Sequence, residues 1–133
     1  AFTASVKRAA DSMIGVCAFV VAFSAINGVL DAMDITRSIA GELSYMLGAE
    51  LSWCAALLAG ILELGNGIGS MTGLAINLAL AAFILSWGGL SVHFQTFSMI
   101  AGTDIKTARY MIGRFLTALI AAALALLGAA AIF

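Results

Sequence analysis

Residues 12 to 30, SMIGVCAFVVAFSAINGVL, carry no charged side chain. As a helix rising ~1.5 Å per residue the run covers ~28 Å, close to the ~30 Å hydrocarbon core of a bilayer. Only lipid or a large protein core could cover it, and a chain of 133 residues has no such core. Its composition agrees: 63% of the residues are apolar and 10% charged, against roughly half and a quarter in soluble domains. The expectation is one all-α integral membrane domain with the lipid bilayer as its main partner. No small-residue cleavage site follows the run, so it reads as a membrane span and not as a signal peptide. The absence of a Met before Ala1 suggests trimming or a piece of a longer protein.

Beyond Asp34, an expected N-cap, Ile35, Ile39, Leu43, Met46 and Leu47 recur at helical spacing among Arg37, Ser38, Glu42 and Ser44. An amphipathic helix lying in the interface over 35 to 50 fits that pattern. The apolar run 51 to 64 reaches only ~21 Å before GNGIGS interrupts it, too short to cross. A second apolar stretch, 71 to 87, comes at once and ends at Trp87-Gly88-Gly89. The two together, 51 to 87, read as half-helices of a re-entrant hairpin with its tip at 65 to 70, a construction tolerated where protein or a water-filled cavity surrounds the tip. Residues 89 to 102, GLSVHFQTFSMIAG, read as a broken, partly unwound span, and 105 to 133, capped by Thr103-Asp104, as a second full span.

If the hairpin returns to its own side, Lys7, Arg8, Lys106 and Arg109 share one face and Arg37 stands on the other, which predicts a cytoplasmic N-terminus. A net charge of -1 gives no electrostatic footprint for nucleic acid. Cys17 and Cys54 lie inside apolar runs without metal-ligand spacing and read as free thiols. The motifs of hydrolases, metalloproteases and phosphate loops are absent, so the chain is not expected to be an enzyme and no metal site is expected.

Polar side chains at membrane depth are costly and point to function. Glu63, Asn66 and Ser70 surround the expected hairpin tip, where carbonyls ending the first half-helix could coordinate a cation and N–H groups starting the second, near Ser70, could face an anion. The tip therefore leaves room for a coupling cation, Na+ or H+. Glu63 could instead reach the interface or pair with Arg114, and Asn66 could serve as a turn residue. Ser91, His93 and Gln95 form the second cluster; an unwound backbone would project all three to one side, whereas a helix would turn His93 away from the other two. Arg114 could face an anionic substrate, pair with Glu63 or snorkel toward the cytoplasm. Asn27 and Asn77 read as interhelical hydrogen-bond partners, and Gly88 and Gly89 as the turn itself.

WGGLSVHFQTFSMIAGTDI at 87 to 105, ARYMIGRF at 108 to 115 and GILELGNGIGS at 60 to 70 resemble segments of the YlbJ-type sporulation integral membrane proteins with nucleoside-recognition (Gate) domains. The resemblance implies one repeat of a concentrative-nucleoside-transporter-like fold: span, interfacial helix, re-entrant hairpin, broken span, long span. It also implies a multi-pass protein of a bacterial cell membrane that moves a small solute, anionic such as dipicolinate or nucleoside-like, with Glu63, Asn66, Ser70, Ser91, His93 and Gln95 facing the path. Full-length relatives carry two such repeats, and this chain resembles the C-terminal one. The implied site is therefore completed by a second gate-repeat chain, by further copies in a homo-oligomer, or by the remainder of a longer protein. The competing reading is a non-transporting membrane assembly subunit whose glycines serve helix packing.

Overall fold

The structure, a computed structural model, describes residues 2–71 and 75–132. Every regular element among them is helical: α1 (Phe2–Ala32), α2 (Ile35–Leu47), α3 (Leu51–Leu62), α4 (Leu64–Gly69), α5 (Ala75–Trp87), α6 (Gly89–Ile100) and α7 (Thr107–Ile132). Thr72 to Leu74, within the expected second half-helix, and Phe133, the expected end of the last span, lie outside the described residues.

Among the described residues, three stretches are long and apolar enough to cross a membrane: Phe2–Ala32, Asn77–Ile100 and Thr107–Ala131. Large apolar side chains stand exposed along the first and last of them, among them Met13, Ile14, Val21 and Val29 on α1 and Leu116, Ile120, Leu124 and Leu127 on α7. Water penalises apolar surface on that scale and hydrocarbon does not, which is consistent with a membrane protein. α1 begins ten residues before the uncharged run. Nothing in its sequence breaks the helix there, and the Arg8 guanidinium is tied back to the Ala4 carbonyl at 3.3 Å.

Asp34 does not cap α2 as expected. It sits in the left-handed region at φ 56 with no side-chain cap bond, and the Ser38 hydroxyl donates to its carbonyl at 2.9 Å. A short polar side chain tolerates that conformation at the sharp corner between two helices. α2 stops at Gly48, itself left-handed, rather than at residue 50. α7 likewise starts at Thr107 and not at 105, because the Thr103 hydroxyl accepts the Ile105 N–H at 3.3 Å in a local turn.

The hairpin turns at Glu63 rather than at 65 to 70. Glu63 is extended (φ −145, ψ 122), a one-residue break between α3 and α4. The glycines expected to form the loop belong instead to α4, which folds back so that Gly67 lies directly on the backbone of Gly60 and Ala56. A side chain at Gly67 would collide with that backbone, so the glycines permit helix contact rather than a loop. α5 is not the returning limb. Residues 62 to 64 back onto Gly89, the Trp87 indole donates to the Ile61 carbonyl at 3.4 Å, and Ile84 covers Gly60. Both series ascend together, so α3 and α5 run the same way, and it is α4 that folds back on α3.

The expected broken span is intact. Residues 89 to 100 form a regular helix, α6, and the break lies before it, where Gly88 and Gly89 have φ of 89 and 73. Two successive left-handed residues are a glycine conformation, and they bend the chain sharply without unwinding α6. α7 packs along α5, where Phe115 meets Phe83 and Trp87 at ring distances of 6.3 and 6.2 Å, and reaches α6 through Tyr110, which meets His93 at 5.5 Å. The buried core gathers Ala56, Leu80 and Ile84, with Trp53, Leu64, Ile68 and Phe83 against them.

Candidate functional site

From Met13 onward the polar residues of α1 fall at 24, 27 and 31, with Gly28 between, one stripe on an otherwise apolar stretch. Helical spacing turns that stripe toward α3 and α4. The Asn27 amide donates to the Ala59 carbonyl at 3.1 Å, and the Asn66 amide donates to the Ser24 hydroxyl at 3.3 Å. Between these bonds a cavity of about 450 Å³ remains, lined by Ser24, Asn27, Asp31, Thr36, Asn66 and Ser70 together with Gly28, Gly65 and Gly69. The glycines leave the space; the amides, hydroxyls and one carboxylate give it hydrogen-bonding walls.

Of the residues expected at the site, Asn66 and Ser70 line this cavity. Ser70 ends α4, its hydroxyl donating to the Gly67 carbonyl at 3.0 Å, and does not open a following helix. Glu63 is 4% exposed and does not line the cavity. Its carboxylate accepts the Asn66 backbone N–H at 2.8 Å and caps α4, a favourable place for a negative charge. Two of the carbonyls that the sequence offered to a cation at the end of α3 take protein donors: Ala59 O accepts from Asn27 and from the Glu63 N–H, and Ile61 O accepts from Trp87.

Ser91, His93 and Gln95 do not converge. α6 is helical, so Ser91 and His93 point to different neighbours, buried at 1% and 0% exposure, while Gln95 is half-buried. His93 packs edge-on to Trp87 with ring centroids 4.3 Å apart, and its Nδ1 lies 3.2 Å from the Tyr110 hydroxyl. Thr96 donates its only proton to the Val92 carbonyl at 2.8 Å, so its oxygen can only accept the Tyr110 O–H, at 3.3 Å. Tyr110 therefore accepts from His93, which places the imidazole proton on Nδ1. His93 Nε2 and Ser91 Oγ are left without a hydrogen-bond partner among the described residues.

Arg114 does not pair with Glu63. Its Nη2 donates to the Trp87 carbonyl at 3.3 Å and lies against Gly88, while Nε has no partner among the described residues. The Gly88-Gly89 bend frees that carbonyl at the negative end of α5, which suits a cation. Asn27 makes the interhelical bond expected of it. Ser24, Asp31 and Thr36 were not among the residues singled out in the sequence. The i, i+3, i+7 polar stripe over Ser24, Asn27 and Asp31 was the signal for the first two, whereas Thr36 joins them only through the turn between α1 and α2. Among the described residues no group of three or more His, Cys, Asp or Glu is placed to hold a metal, and both cysteines are free. Comparison with known proteins finds no matching family model, no matching curated protein and no matching solved structure.

Proposed function

We propose that this chain forms one wall of a membrane pathway for a small solute, with a second gate-type repeat or a second copy of the chain completing the site. The observation that carries the reading is the polar cavity between α1, α2 and the α3–α4 hairpin. Amide, hydroxyl and carboxylate groups on a span are expensive in lipid, and the cavity volume of about 450 Å³ falls in the range of small-molecule sites, ~300–1,000 Å³. The resemblance of residues 87 to 105 to gate-domain proteins supports it, since the bend at Gly88-Gly89 backs the hairpin turn at Glu63.

A second reading, a non-transporting assembly subunit, draws on a different observation. Asn66 and Ser24, and Asn27 and Ala59, satisfy one another, and Gly67 seats on Gly60 as packing glycines do. Cysteine accessibility separates the two. In a background with Cys17 and Cys54 replaced by alanine, cysteines at positions 66 and 70 should react with a water-borne, membrane-impermeant thiol reagent in proteoliposomes, and one at position 93 should not. Protection at 66 and 70 equal to that at 93 would favour the packing subunit.

A further inference from the structure

We infer that the cavity between α1, α2 and the hairpin selects a small organic cation, a primary ammonium compound with hydrogen-bonding groups, over an anion. The inference rests on the reading of the cavity as a solute site. Asp31 is the one side chain with a formal charge among the described residues lining it; no Lys, Arg or His lines it. Part of the wall's donors are committed inward. One Asn27 amide N–H goes to Ala59 O, one Asn66 amide N–H to Ser24 Oγ, the Asn66 backbone N–H to Glu63, and the Ser70 proton to Gly67 O. What these commitments leave is one N–H on each amide and the Ser24 and Thr36 hydroxyl protons as donors, beside the oxygens of two amides, three hydroxyls and the Asp31 carboxylate, whose formal charge sets the preference.

Helix ends act in the same direction. Asp31 sits in the last turn of α1, where carbonyl ends add negative potential. The opposite, positive end of α2 reaches the cavity at Thr36, but Asp34 precedes that helix and offsets it. An anion, one of the two solute classes implied by the gate-domain resemblance, would meet a carboxylate here and no compensating cation among the described residues of this wall. A bare metal ion would be far smaller than the space, whereas an organic ammonium compound can both fill it and donate three N–H bonds to the oxygens.

Three probes of one shape test the charge preference: ethanolammonium, ethylene glycol and glycolate, titrated by ligand-observed NMR against the full chain in lipid nanodiscs. Ethanolammonium should bind, glycolate should not, and Asp31→Asn should weaken ethanolammonium by about fivefold, as expected for a partly solvated ion pair. Thr36→Val, which keeps the shape and removes a hydroxyl, should weaken whatever binds. Glycolate or ethylene glycol binding as tightly as ethanolammonium, with Thr36→Val still lowering affinity, would overturn the cation assignment and leave the site standing. Absence of binding by all three probes, or binding that neither Thr36→Val nor Asn66→Ala alters while the helical circular dichroism is retained, would overturn the site reading itself.

Discussion

The Tyr110 hydroxyl stands between Thr96 and His93, and the direction of the hydrogen bonds through it decides how the histidine is wired. Removing it with Tyr110→Phe strands the His93 Nδ1–H in a fully buried place, which should cost about 1–3 kcal/mol. The expected readout is a lower thermal midpoint in detergent. His93 is the only histidine in the chain, so its ¹⁵N signals are assignable without a mutant. They should show protonation at Nδ1 in the wild type, and an Nε2-protonated imidazole would refute the wiring. At this scale the sequence singled out His93 for its polarity inside an apolar stretch. Because α6 stays helical, the imidazole packs in a buried Trp87-Tyr110 cluster and does not line the cavity.

Elements show where glycine counts were legible and where they misled. Glycine at 65, 67 and 69 looks alike in sequence, yet a side chain at Gly67 would strike the Gly60 backbone while one at Gly69 would meet nothing within 4 Å. Gly67→Ala should therefore destabilise the fold by about 2–3 kcal/mol, the upper range of overpacking, and Gly69→Ala should be neutral or slightly stabilising. Equilibrium unfolding of both variants in mixed micelles checks the contrast; equal effects would refute the seating of α4 on α3. The length of each apolar run announced the breaks, since 51 to 64 is too short to cross. Which residue turns the chain was decided by contact. Glu63 caps α4, and the glycines after it lie against a helix instead of forming the loop.

Across the whole molecule the order of contacts fixes a direction for each span. Phe23 of α1 meets Phe94 of α6 at 5.4 Å, while Asn27 reaches Ala59 on α3. Tracing those partners along the chain puts the α6–α7 connection, with Lys106 and Arg109, at the end where α1 begins, and Arg37 at the other. Single cysteines replacing Lys7 and Lys106 should thus react from the same side of sealed vesicles, and one replacing Arg37 from the opposite side; any other pattern would contradict the bundle. The all-helical character and the long apolar stretches at the two ends of the chain were determined by the sequence alone, because backbone polar groups in hydrocarbon have few solutions and an uncharged run has one length to satisfy; the stretch Asn77–Ile100 was not, since its glycine pair divided it in sequence between a hairpin limb and a broken span. Tertiary structure alone decided that Ser24, Asp31 and Thr36 share a cavity with Asn66 and Ser70 while Glu63, Ser91 and His93 turn away. Periodicity says which residues of one helix share a face. It does not say which neighbour that face will meet, and a cavity is made of faces from several helices.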